Sequence, residues 1–188
     1  KNMARGNVAG IDGLPMEFYL KFRDILIPRM TELYTVAWET GVLPQTLTTA
    51  LMVALPKKDR DMEDPASYRP LSILTTDYKL LSGMLAARLL PHVLNIVRHD
   101  QSGFVPLCNT AYNIRTLVSV LEAVGNSSPS AMILSIDMEK AFDSLRWDYL
   151  FAGMERMGLG NRFIKWTRLL DVASLARVRT GRTISEEY

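Results

Sequence analysis

ILSIDMEKAFDSL, residues 133–145, sets a short apolar run directly before a carboxylate. The run MILSI, residues 132–136, has the length of a buried strand, and the charged turn that follows predicts its end. Asp137 then stands at the strand's C-terminal end, where its oxygens can reach a hard cation such as Mg²⁺ without being buried unpaired. Asp143 follows six residues later, placed to support the turn or to cap the next helix. On pattern alone the plainer reading is that both carboxylates serve only as acceptors for backbone N–H groups, and one carboxylate does not make a site.

Working outward, a helix is expected from about Trp147 to Met157, then Gly158 and Gly160, then a helix to about Leu170. The tail ARVRTGRTI reads as a hairpin about Thr180-Gly181. On the N-terminal side, Thr110 to Val124 predicts a helix closed by the loop GNSSPS, and Thr76 to about Val97 another, with Leu80, Met84, Ala87 and Leu90 on related turns and Pro91 as a break. The apolar stripes of both read as core-facing seams. Ala50 to Leu55 is a short apolar strand candidate ahead of Pro56, and residues 57–67 carry seven charged residues and Pro65, an exposed excursion. Pro15 to Thr40 is helical, divided or kinked at Pro28 and stopped by Gly41 and Pro44, after a Gly-rich opening loop, RGNVAGIDGLP.

Composition bounds the function classes. The 188 residues suit one domain, or one with part of a second. With 48% apolar and 22% charged residues, wholesale disorder is excluded. No stretch approaches the roughly 18 uncharged apolar residues of a bilayer span, so neither membrane insertion nor a signal peptide is expected. Cys108 is the single cysteine, which rules out an internal disulfide or a cysteine-based zinc site. His92 and His99 beside Asp100 read as surface or capping residues rather than ligands. The net charge of +2 names no partner, but residues 139–182 hold nine Lys or Arg against five Asp or Glu, a surface that can face a polyanion or simply water.

SIDMEKAFD, together with its neighbours, resembles the reverse transcriptase of non-LTR, LINE-type retrotransposons. GIDGLPMEFY (10–19) resembles the family's opening signature, ALPKKDRDMEDPASYRPLSILTTDYKLLSGMLAARL (54–89) its fingers, and HDQSGFVP (99–106) the segment before the palm. The resemblance implies α+β architecture: a partial right-hand polymerase, fingers-like over residues 1–130 and the start of an incomplete palm over 131–188. It makes Asp137 the catalytic, metal-binding carboxylate and the backbone carbonyl of Met138 a second metal contact. It makes Phe142 the aromatic steric gate beneath the sugar, which disfavours a 2′-hydroxyl. Lys57 and Arg69 map to fingers residues that contact the incoming triphosphate, a role suited to a mobile ammonium and a rigid donor fork. For Arg69, an ion pair with Asp64 is the structural alternative. Gln101 and Phe104 would line or support the template-primer path, with Gly103 allowing close backbone approach; a buried turn anchored by Phe104 is the alternative. Tyr68 and Trp147 are read as core anchors.

The implied partners are an RNA template, a DNA primer and deoxynucleoside triphosphates, with two Mg²⁺ ions about 3.5–4 Å apart doing the metal chemistry. The family's later Asp-Asp turn has no counterpart in these 188 residues, which contain no Asp-Asp pair. The expectation is therefore that this stretch alone does not polymerise, and that an incomplete palm leaves an exposed edge or apolar patch. An inactive nucleic-acid-binding remnant and a structural or protein-interaction module are the competing readings. Location and oligomeric state stay open.

Overall fold

The computed structural model describes residues 6, 8–98, 100–125, 132–172 and 174–187. Its elements run α1 (Met16–Lys21), α2 (Arg23–Thr40), α3 (Gln45–Thr48), β1 (Thr49–Pro56), a 3-10 turn (Pro65–Ser67), β2 (Tyr68–Ile73), α4 (Thr76–Ile96), α5 (Thr110–Gly125), α6 (Trp147–Arg156), α7 (Asn161–Asp171), β3 (Leu175–Thr180) and β4 (Thr183–Ile184). The class is α+β. The chain gathers into two compact units, Lys1–Leu85 with Arg162–Tyr188, and Ala86–Asn161. None of the described helices is long and apolar enough to cross a membrane.

The first unit is built on a four-stranded sheet ordered β2-β1-β3-β4. The apolar run read as a strand at 50–55 becomes β1, antiparallel to β2 (Leu51 opposite Ile73, Leu55 opposite Arg69) and parallel to β3 (Leu51 opposite Arg177). The hairpin at the tail forms as expected: Thr180 faces Thr183, and Gly181 takes the positive φ of 62° that the first position of a two-residue turn requires.

The opening segment is fastened to the start of α4. Gly10 lies so close to Thr75 that a Cβ there would sit 2.6 Å from the Thr75 Cα, so the approach requires glycine. Thr75 Oγ1 accepts from the Tyr78 amide (3.4 Å), capping α4, while Thr76 Oγ1 donates to the Leu14 carbonyl (2.9 Å). Tyr19 Oη donates to the Asp77 carboxylate, and Tyr34 Oη to the Asp77 carbonyl at 3.0 Å. Beneath them Ala37, Leu43, Leu47, Leu81 and Leu169 form the core. Packed against that core, Trp38 stacks on Trp166 (5.1 Å), and Lys165 Nζ sits 4.1 Å from the Trp38 ring centroid.

Three expectations about helices are corrected here. The first long helix divides at Phe22 (φ −105°, ψ 20°), not at Pro28, which lies inside α2. Pro28 removes one amide, and the carbonyl left without it belongs to Asp24, an exposed residue where solvent is available as a donor. Pro91 likewise lies inside an unbroken α4, above exposed Ala87. The buried stripe of α4 is Leu81 and Leu85, whereas Met84 and Leu90 are exposed. With leucines almost all round, that helix offers two stripes a residue apart, and only contact with the core chooses between them.

In the second unit, α6 ends in a Schellman arrangement: Gly158 (φ 77°) donates to Glu155 O at 3.0 Å and Leu159 to Met154 O at 3.1 Å. Phe151, Met154 and Val105 are buried. α5 buries no residue at all, against the expectation of a core-facing seam. The expected strand at 132–136 is also absent. Residues 132–138 have no regular structure, with Leu134 and Ile136 each 73% exposed. An apolar run becomes a strand only when a neighbour takes up its backbone donors and acceptors, and the described residues of this unit hold no strand for it to pair with. The loop residues 126–131, on which the expected boundary at 130/131 falls, and His99 lie outside the described residues.

Candidate active site

Asp137 stands on the irregular segment after Ile136 with its side chain exposed, and Met138 beside it is also exposed. The chain then turns tightly: the Ser144 amide donates to Lys140 O (2.9 Å), Leu145 to Phe142 O (3.3 Å), and Ser144 Oγ to Glu139 O (3.3 Å). Lys140 adopts a left-handed φ of 49° to allow it. The turn lifts Phe142 into solvent, 76% exposed, where its ring meets Phe104 edge-on at 5.7 Å. Asp143 does not cap the next helix, whose N-cap is Arg146 without a side-chain bond. Instead Arg146 grips Asp148 bidentately (2.6 and 3.0 Å), which holds the Asp148 carboxyl below and the guanidinium above their usual ranges.

Phe104 is 93% exposed, so it is not the anchor of a buried turn; Val105 is the buried residue there. Gln101 Nε2 donates to Gly103 O (3.1 Å), and a Cβ on Gly103 would touch nothing closer than that amide at 3.8 Å. Trp147 stacks on Phe151 but remains 52% exposed, and Tyr68 Oη donates to Met62 O.

Lys57 and Arg69 belong to the first unit, at the loop end of the β1–β2 hairpin. The Lys57 amide extends the ladder to Ser67 O (2.7 Å), and its ammonium donates to Ala66 O (2.7 Å). Arg69 is opposite Leu55, so register places both cations on one face of the hairpin. Arg69 is exposed and makes no ion pair among the described residues; Asp64 is occupied instead in accepting from the Ala66 amide (2.9 Å). Asp137, Met138 and Phe142 lie together in the second unit.

The oxygens of Asp137 and of the Met138 carbonyl are of the hard type Mg²⁺ takes, but their number is insufficient. Among the described residues no three His, Cys, Asp or Glu side chains gather around a common point. The described residues alone do not supply the donors of a two-ion centre.

Sequence reasoning missed the Phe104–Phe142 contact, since nothing in a sequence pairs two aromatics across an intervening helix.

Residues 55–187 match the family model described as reverse transcriptase (RNA-dependent DNA polymerase). The chain is 31% identical over 97% of its length to the transposon TX1 uncharacterized 149 kDa protein of Xenopus laevis. It is 28% identical over 80% of its length to the retrovirus-related Pol polyprotein from the type-1 retrotransposable element R2 of Popillia japonica. It spans 14% and 20% of those two proteins. The matched region takes in both the loop end of the β1–β2 hairpin and the Asp137 turn, and the chain belongs to the reverse transcriptase family, in its non-LTR, LINE-type branch.

Proposed function

We propose that this chain supplies the fingers and the opening of the palm of a right-hand RNA-directed DNA polymerase. The single observation that carries the reading is the family match over residues 55–187, which includes every residue assigned a role. In that reading residues 1–130 are fingers-like and 131–188 begin the palm, a functional division separate from the packing of the two units. Asp137 is the carboxylate this chain contributes to a divalent-metal centre, beside the Met138 carbonyl. Lys57 and Arg69 hold the triphosphate of the incoming deoxynucleotide, and Phe142 meets its sugar. The exposure of Arg69 and its freedom from an ion pair among the described residues support a cation available to phosphate. The partners are an RNA template, a DNA primer and deoxynucleoside triphosphates.

The test is primer extension on an RNA template with Mg²⁺. It compares this chain, a version extended through the coding sequence downstream of Tyr188, and the extended version carrying Asp137→Ala. Extension by the longer protein alone, abolished by D137A, is the expected result. Silence from a folded longer protein that still binds primer-template moves the assignment to an inactive binding remnant. Failure to bind even at low salt, where electrostatic binding is strongest, leaves a structural module.

A further inference from the structure

Phe104 combines two unfavourable features. Its backbone is left-handed, with φ 60°, and its ring is 93% exposed. A bulky residue in that conformation is strained, and burial returns nothing here. The loop that carries it is nevertheless held firmly. Val105 is buried, Asn113 Nδ2 of α5 donates to Ser102 Oγ at 2.7 Å, and the Cys108 amide donates to Val105 O at 3.3 Å. What the strained conformation achieves is a contact: the Phe104 ring meets the Phe142 ring with centroids 5.7 Å apart and planes at 79°. That is the edge-to-face geometry aromatic quadrupoles favour. Phe142 itself sits on a turn that also needs a left-handed residue, Lys140. Two strained loops thus bring two exposed rings together.

We infer that Phe104 is a positioning residue for Phe142, its ring fixing the plane that Phe142 presents to the sugar of the incoming nucleotide. The inference rests on the reading of Phe142 as the sugar gate. An exposed Phe ring otherwise rotates among its rotamers, and a gate that rotates excludes a 2′-hydroxyl poorly. Phe104 touches no substrate in this scheme; it acts through its neighbour.

The experiment is single-nucleotide addition on an RNA template by the full polypeptide that contains this chain. It offers a deoxynucleotide or the matching ribonucleotide and separates kcat from KM. Phe142→Ala is expected to relax the preference for the deoxynucleotide. Phe104→Ala should relax it by about three- to tenfold, the range that an edge-to-face pair supports, mainly by lowering KM for the ribonucleotide. Phe104→Tyr, which keeps the ring, should restore the preference, and the double alanine variant should relax it no further than F142A alone. If F142A relaxes the preference while F104A leaves it unchanged, or slows both nucleotides equally, Phe104 has no positioning role and the gate stands. Full additivity of the two alanine variants also removes the coupling. If F142A leaves the preference unchanged, the gate reading fails and this inference with it. Because Phe104 is exposed, its replacement does not threaten folding.

Discussion

Single residues in the opening segment are set by backbone contact, and three glycines show how differently the same residue type is used. Gly10→Ala places a Cβ 2.6 Å from Thr75 Cα and 2.8 Å from its nitrogen, backbone atoms that cannot swing aside. The expected loss is about 1–3 kcal/mol, the usual cost of overpacking, read as a lower urea midpoint. Gly83, inside α4, has nothing within 4 Å of where an added methyl would sit, and Gly83→Ala should stabilise by roughly 0.5–1 kcal/mol through helix propensity, read as a higher urea midpoint. Equal effects of the two substitutions would sink the distinction. Gly103 is likewise open. The sequence marks all three alike, since what separates them is the neighbour brought near by folding. The same limit applied at the candidate site. The order of residues singled out Asp137, and only the family resemblance pointed to Phe142, Lys57 and Arg69; neither gave the partner ring of Phe142 or the capture of Asp64 by a backbone amide.

Between elements, the first unit is tied by phenols. Tyr19 and Tyr34 bind α1 and α2 to Asp77 at the start of α4, and Tyr78 Oη donates to Leu170 O of α7 at 3.1 Å. All three hydroxyls are pushed above the ordinary value of 10.0, first by burial, then by Asp77, through its hydrogen bond and charge for Tyr19 and its charge for Tyr34, or for Tyr78 by the charge of Asp171. A raised folded value means the neutral phenol is favoured in the native state. The linked stability is therefore fully present below pH 10.0 and lost as pH rises toward the folded values. Urea midpoints should fall steeply above about pH 10, and a Y19F/Y34F/Y78F variant, less stable at neutral pH, should lose much of that steepness. An unchanged slope would mean that these hydroxyls are free in solution. Elements with strong local signals were legible in the sequence: β1 from its apolar run, the β3–β4 hairpin from Thr-Gly, and α6 and α7 from their periods and the glycines between them. The break at Phe22 was not, because no glycine or proline marks it between Leu20 and Asp24. The strand at 132–136 was misread because pairing belongs to two strands and a sequence window sees one.

At the scale of the whole molecule, apolar surface remains uncovered. Ile114, Leu117, Val118 and Leu121 recur at spacings of three and four along α5, and each is 42–60% exposed. In the same unit the run Met132, Ile133, Leu134 and Ile136 is exposed as well. Apolar surface of this kind drives association in water, because each buried methylene is worth about 0.8 kcal/mol wherever the burial occurs. The net charge of only +2 offers little long-range repulsion to oppose it. Concentrated solutions of this chain should therefore scatter light increasingly with concentration and bind a hydrophobic dye. Replacing Leu117 with Glu and Leu121 with Lys puts an i,i+4 pair in the favourable order on that face. Since neither side chain is buried, stability should stay within about 0.5 kcal/mol, while scattering and dye binding both fall. Unfolding of the double variant would show instead that the α5 face is covered in solution, and that these leucines belong to a core.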